Sequence, residues 1–356
     1  MTRDEIGSWL RQTDPGRLES LWRRADDVRR QSVGDAVYLR GLIEISNHCS
    51  RRCLYCGVRA DRRKLPRYRM TVDEILASAR QAATLGYGTV VLQSGEDWGL
   101  ETVWLADVVR RIKAQTSLAV TLSLGERTDE ELALWREAGA DRYLLRFETS
   151  NTELFARIHP PRAGSDGRDR PAVLRALRRL GYEVGSGVMV GIPGQSYDDL
   201  ARDIELFAEL DLDMIGLGPF IAHPDTPLGR DGEAWKLPAG RQVPADELTA
   251  CKAVALARMV CPRANIPSTT ALATLNAGEG RQLGLARGGN VIMPNLTPHK
   301  YRALYEIYPG KACCTESDEF DRHLKACIVA MGRTVDAGRG DSLVYLARQD
   351  ARRTAG

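Results

Sequence analysis

The sequence predicts an α/β chain wound as a complete (β/α)8 barrel with an N-terminal helical extension. Three observations carry that prediction. The chain has 356 residues, a length that α/β barrels reach as one unit. Short β-like runs alternate with longer amphipathic ones along most of it. No Pro-, Gly- and Ser-rich linker interrupts the alternation.

Residues 1–37 read as helices, because RLESLWRRADDVRRQSVG sets Leu18, Leu21, Trp22 and Val28 among charges at roughly helical spacing. Candidate strands follow at LIEIS (42–46), TVVLQS (89–94), LAVTLSL (118–124) and RYLLRFE (142–148). EVGSGVMVG (183–191), DMIGLG (213–218), ANIPSTT (264–270) and NVIMP (290–294) complete the set. Amphipathic stretches lie between them, such as TVDEILASARQAATLG, where Thr71 and Glu74 have capping-box spacing. Recurrent LG, AGA and LGYE segments mark helix exits into the next strand. The expected division is a helical extension over 1–37, the barrel over 38–336 and a polar, loosely packed tail over 337–356.

With 43% hydrophobic residues the chain has apolar mass for a sizeable core. A formal charge of +3 is too weak to argue for nucleic acid. Arg51, Arg52, Arg59, Arg62, Arg63, Arg67 and Arg69 form a local basic stretch, read as a solvated face with anion binding as the alternative. No run approaches the ~20 apolar residues of a membrane span, and MTRDEIGSWL lacks a signal-peptide core. The expected location is therefore the cytoplasm, where thiols stay reduced and clustered cysteines point to metal or catalysis.

Such a cluster exists. CSRRCLYC places Cys49, Cys53 and Cys56 at C-x3-C-x2-C just beyond the first candidate strand, on the face where barrel enzymes place their chemistry. A zinc site wants four protein ligands, or three and a water, and His48 could complete one. Three thiolates can instead hold three irons of a 4Fe–4S cluster, which usually has four cysteines, leaving one iron open. With Tyr55 before the last cysteine, the segment resembles the signature of radical S-adenosylmethionine (SAM) enzymes. That resemblance implies a 4Fe–4S cluster whose open iron takes the amino and carboxylate groups of SAM and whose electron releases a 5′-deoxyadenosyl radical.

Further strand ends extend the resemblance. LQSGED, holding Gln93, Ser94, Gly95 and Glu96, looks like the superfamily's Gly-Gly-Glu segment, with Ser94 in place of the first Gly. It implies that Gly95 permits close backbone approach while Ser94 and Glu96 hold the ammonium of the methionyl part. VMVGIPGQ, with Met189 and Gly191, resembles the segment packed beside adenine, although Met189 and Met293 read as core fillers rather than ligands. LQSGED, TLSLGE (with Ser123), AGADRYLLRFETSN, MVGIPGQ, GPFIAHPDTPL and NVIMPNLTPHKYRALYEIYPGK together resemble the HydE family of FeFe-hydrogenase maturases, colinearly from about residue 20 to 335. The resemblance implies action on a cysteine-bound iron carbonyl-cyanide precursor of the diiron subcluster, alongside a reductant protein and other hydrogenase maturases.

It also implies residue roles. Glu148 and Arg170 match the pair that holds the methionyl part, and a guanidinium can take a carboxylate bidentately. Arg142 and Arg146 share strand parity with Glu148, so all three could point into the barrel. Arg146 would meet an anionic substrate; a structural ion pair with Glu148 is the competing reading, and it weighs more for Arg142 than for Arg146. Thr269, Thr270 and Asn290 could hydrogen-bond a polar substrate, and Asn295, Thr297, Tyr301 and Arg302 follow on a loop suited to cover the cavity. For Tyr301 and Arg302, packing on the barrel rim competes with substrate contact.

Two departures matter. The family commonly reads Arg-His-Glu-Thr where this chain has Arg146-Phe147-Glu148-Thr149, which loses a donor and acceptor and bears on substrate identity. Some members carry a second cluster near the C-terminus. Here Cys313 and Cys314 are adjacent and Cys327 is distant, so a second cluster is not expected. Cys251 and Cys261 flank a helix and read as buried packing residues, and no candidate strand carries a cysteine for biotin-synthase-type sulfur insertion. Two other functions stay open: a methylornithine synthase-like mutase, which TLSLGE and HPDTPL disfavour, and a non-catalytic cluster carrier, which would not need an adenosyl site.

Overall fold

The computed structural model describes residues 1–161, 168–311 and 318–355. Two helices, Arg3–Arg11 and Pro15–Val33, precede the sheet. Both begin with side-chain caps, from Thr2 in a capping box and from Asp14, as short polar residues at N-caps favour. Ile6, Leu10, Leu18, Leu21, Trp22 and Ala25 point from these helices into the main hydrophobic core.

The strands are β1 (Ala36–Ser46), β2 (Thr89–Ser94), β3 (Ala119–Ser123), β4 (Arg142–Leu144), β5 (Glu183–Val190), β6 (Met214–Pro219), β7 (Val291–Ile292) and β8 (Thr334–Asp336). They form an 8-stranded sheet in the order β6-β5-β4-β3-β2-β1-β7, with β8 paired to the start of β1. All named pairings are parallel, and helices fill the connections, the arrangement of a TIM-barrel-like α/β fold.

The candidate strand at 264–270 is present only as single bridges. Asn265 bridges Met214 at β6 and Pro267 bridges Val291 at β7. Ile215 N donates to Asn265 O at 2.9 Å, and Ser268 N to Val291 O at 2.9 Å. The first strand starts earlier than the expected run, at Ala36, because Ala36, Val37 and Tyr38 pair with β8, a segment whose short, mixed sequence gives no strand signal. Thr71 and Glu74 form the expected capping box of the helix Val72–Thr84.

Residues expected as a loosely packed tail behave otherwise. Leu343–Ala355 is a helix, and the residues before it close the floor of the barrel. Arg142 donates to Glu183 at 2.6 Å and also pairs with Asp341. Ser342 N donates to Glu183 at 3.1 Å, Arg40 Nη2 to Gly340 O at 3.0 Å and Asn265 Nδ2 to Gly340 O at 3.0 Å. A Cβ at Gly88 would lie 1.8 Å from Gly338 O, so a glycine is needed where the plug meets β2. Within this segment Gly340 and Ser342 are buried, where together with Asp341 they answer buried charges at the barrel's lower end. The described side chains of the helix that follows are half-buried or exposed. No helix among the described residues is long and apolar enough to cross a membrane.

Candidate radical SAM site

At the opposite end, the strand C-termini surround a cavity of about 340 Å³. The loop leaving β1 brings Cys49, Tyr55 and Cys56 to its wall, and Cys53 is buried just behind them. Arg51, Arg59, Arg62 and Arg67 of the arginine run brace this loop, while Arg52, Arg63 and Arg69 are exposed as a solvated face expects. Arg59 Nε donates to Cys53 O at 3.0 Å, and Arg67 reaches the carbonyls of Val58 and Arg59, each at 2.7 Å. Arg62 binds Gly57 O at 2.9 Å, Arg69 pairs with Asp97 at 2.8 Å and Arg51 lies between Glu96 and Glu126 at 3.8 and 3.7 Å. A loop without regular structure thus has its carbonyls satisfied by guanidinium groups, which fixes the cysteines. Gly95 follows β2 and packs against the same loop, where a Cβ would lie 2.3 Å from His48 O and 2.7 Å from Cys49 Cβ.

Burial raises all three thiol pKa values, that of Cys56 to about 12 and that of Cys53 well above its ordinary value, where Cys49 and Cys56 add to the effect. A bound cluster's positive iron would reverse this, because a coordinated thiol gives up its proton. Among the described residues, no three His, Cys, Asp or Glu side chains gather closely enough to share a single ion. A cubane cluster makes no such demand, since each thiolate takes a separate iron.

Across the cavity, Glu148 lies beyond the end of β4, in a single bridge to Val188 of β5, with φ +63°, a left-handed conformation rare for a non-glycine residue. Arg146 Nη2 is 3.2 Å from Glu148 Oε2, but the geometry is not that of a hydrogen bond. Arg146 Nε and Nη2, Glu148 Oε2 and Thr269 Oγ1 are therefore buried without a hydrogen-bond partner. Unanswered polar atoms facing a cavity beside three cysteines fit a charged, polar ligand such as the aminocarboxylate of SAM. Arg170 opens the helix Arg170–Arg179, donates to Glu126 at 3.0 Å and also binds Arg146 O.

Of the residues singled out from sequence, the cavity wall gathers Cys49, Cys56, Tyr55, Gln93, Ser94, Gly95, Ser123, Arg146, Glu148, Arg170, Met189, Thr269 and Thr270. Others lie elsewhere. Glu96 is behind the wall, accepting from Glu126 N at 3.1 Å. Gly191, at φ +84°, makes the turn after β5, its N–H donating to Gln195 at 2.7 Å. Asn290 is fully buried near β7, accepting from Arg258 at 3.1 Å and Ile266 N at 2.8 Å. Tyr301 stacks on Tyr68 at 4.3 Å and donates to Glu74 at 3.1 Å. Arg142 is in the floor. Phe147 points outward, 2% exposed, with its ring 5.7 Å from that of Phe207. Cys251 is buried and Cys261 partly so, while Cys313 and Cys314 fall outside the described residues.

Sequence reasoning passed over Glu126, His159, Tyr305 and Lys311. Tyr305 and Lys311 line the cavity, and Lys311 pairs with the buried Glu44 of β1. Both lie in the maturase-like string ending at 311, the one signal that could have flagged them. His159 also lines the cavity.

Cysteine loop, strand-end glycines and a mostly apolar cavity carrying Arg146, Glu148 and Arg170 above a parallel sheet define the class: a radical SAM enzyme, and the Radical SAM superfamily model matches residues 43–207. The chain is 45% identical over 335 residues to the [FeFe] hydrogenase maturase subunit HydE of Thermotoga maritima, spanning 94% of this chain and 90% of that protein. It belongs to the HydE family of radical SAM hydrogenase maturases. The 3-methylornithine synthase of Methanosarcina barkeri is 26% identical over 84% of this chain and 80% of its own length. A crystal structure of methylornithine synthase (PylB) superposes with a TM-score of 0.78 at 24% identity, covering 94% of each chain, which shows the shared fold.

Proposed function

We propose that this chain matures FeFe-hydrogenase by radical chemistry on a cysteine-bound iron carbonyl-cyanide precursor of the diiron subcluster. Its resident 4Fe–4S cluster would be held by Cys49, Cys53 and Cys56, with SAM on the remaining iron. The observation that carries the reading is the braced cysteine loop across one cavity from Arg146, Glu148 and Thr269, which hold buried polar atoms without a hydrogen-bond partner. The 45% identity to the Thermotoga maritima maturase, against 26% to the mutase, favours maturation over carbon-skeleton rearrangement.

When bound, the cluster supplies the electron that splits SAM into methionine and a 5′-deoxyadenosyl radical. The chain's own residues do the rest. Glu148, Ser94 and Gly95 meet the ammonium end of SAM, while Arg170, held by Glu126, takes the carboxylate. Gln93, Ser123, Met189 and the Gly191 turn sit around the adenosyl part, Glu96 supporting from behind. Arg146, Thr269 and Thr270 offer charge and donors to an anionic iron complex, while Asn290 and Tyr301 hold the surrounding strand and rim. Apolar walls from Leu42, Met214 and Met293 exclude water from a radical.

The bridges of Asn265 and Pro267 support a complete (β/α)8 barrel over 38–336, with 1–37 as a helical extension and 337–356 as its floor plug. A reductant protein and other hydrogenase maturases are the expected partners, in the cytoplasm. The test is anaerobic: reconstituted protein, dithionite and SAM should yield 5′-deoxyadenosine or an adenosylated adduct, and Cys53→Ala should yield none. If the wild-type protein gives neither, with or without an iron carbonyl-cyanide complex, the reading fails. Genomic neighbours separate maturation (hydrogenase maturases) from mutase chemistry (pyrrolysine genes).

A further inference from the structure

His159 sits just after the helix Thr152–Ile158, 5% exposed, between the cysteine loop and Arg170. Its ring is sandwiched: Phe155 stacks on it at 5.0 Å and Tyr55 lies beyond at 6.2 Å. Arg170 Nη2 lies 2.5 Å from Nε2. A guanidinium can only donate, so Nε2 must be the acceptor. In the neutral ring the proton is then on Nδ1. Nδ1–H faces Cys53 Sγ at 3.0 Å and Tyr55 Oη at 3.1 Å.

We propose that His159 is a positioning residue that donates Nδ1–H to the Cys53 thiolate while accepting from Arg170, and so couples the carboxylate-binding arginine to the potential of the cluster. This rests on the cluster reading above. Hydrogen bonds to cysteine sulfur stabilise the more negative, reduced cluster and raise its potential. The contact also has direction: with Arg170 pinning Nε2, the ring cannot turn its acceptor face to the sulfur. A ligand that draws Arg170 toward itself would alter the ring's hydrogen bond to sulfur, so SAM binding and reduction would be linked through one side chain.

The test is a redox titration of anaerobically reconstituted holoprotein, followed by the electron paramagnetic resonance of the reduced cluster, with and without SAM. His159→Phe keeps the ring shape and removes both nitrogens. The expected result is a midpoint lowered by about tenfold in the reduction equilibrium, ~59 mV for one electron, with a smaller SAM-induced shift. His159→Asn places an amide N–H near the Nδ1 position and loses the contact to Arg170. Its midpoint without SAM should stay near wild type, while its SAM-induced shift shrinks. If the Phe variant does not load iron, the Asn variant decides alone: a wild-type SAM shift there overturns the coupling. Unchanged potentials in both variants overturn the proposal entirely. If wild-type protein itself binds no cluster, it is the function proposed above that fails.

Discussion

Phe147 stands where the family commonly has histidine, between two residues that face the cavity. Strand alternation turns its ring outward, onto Phe207, so the missing imidazole removes nothing from the cavity wall. Phe147→His should therefore leave the yield of 5′-deoxyadenosine near wild type while lowering stability by about 1–3 kcal/mol, since a polar ring would be buried without a partner. Thermal unfolding and product assay on one preparation check both halves. Asp203 offers a pH signature nearby. It is buried beside Ser150 N, at 2.5 Å, and Gln195, at 3.2 Å, and burial pushes its pKa up to about 7. The folded state thus binds a proton that the unfolded chain releases near 3.8. Asp203's contribution is full below that value and is lost as pH rises to about 7. Asp203→Asn should flatten that slope in denaturant titrations across pH 4–8.

At the scale of elements, the N-terminal helices are tied to the barrel by a buried lysine. Lys252, on the helix Glu247–Val260, donates to Leu10 O at 2.6 Å and Gln12 O at 3.1 Å, satisfying carbonyls at the end of Arg3–Arg11. Lys252→Met should cost about 1.5–3 kcal/mol, the worth of a charged hydrogen bond. Faster hydrogen exchange confined to residues 3–12 and their contacts would locate the effect. Helix starts were legible in the sequence because caps are local: Thr71 with Glu74 and Thr128 with Glu131 each form the full box. The strand at 334–336 was not, because three mixed residues become a strand only when β1 offers its edge.

For the whole molecule, the two ends of the barrel carry opposite duties. The upper end keeps polar atoms unanswered around its cavity, whereas the floor answers Arg142 with Glu183 and Asp341. Asp341→Ala should destabilise by about 3 kcal/mol, because it strips a partner from a fully buried guanidinium. Truncation after residue 336 should do at least as much. A truncated chain with an unchanged unfolding midpoint would mean that the floor contacts contribute nothing.

By itself the sequence determined the cysteine triad, the strand–helix alternation and the family, because spacing, periodicity and long colinear strings are properties of neighbouring residues. Tertiary structure alone decided which charges are spent and which are left open. Arg142 and Arg146 have the same parity along one expected strand, which ends at Leu144 in the structure. Yet one meets Asp341 in the floor and the other faces the cavity with atoms lacking a hydrogen bond. His159 was likewise invisible until folding set it beside Cys53, and the string that holds Lys311 gave no hint of its pairing with Glu44. The reason is physical: a side chain's role depends on what desolvates and pairs it, and those partners lie far away along the chain.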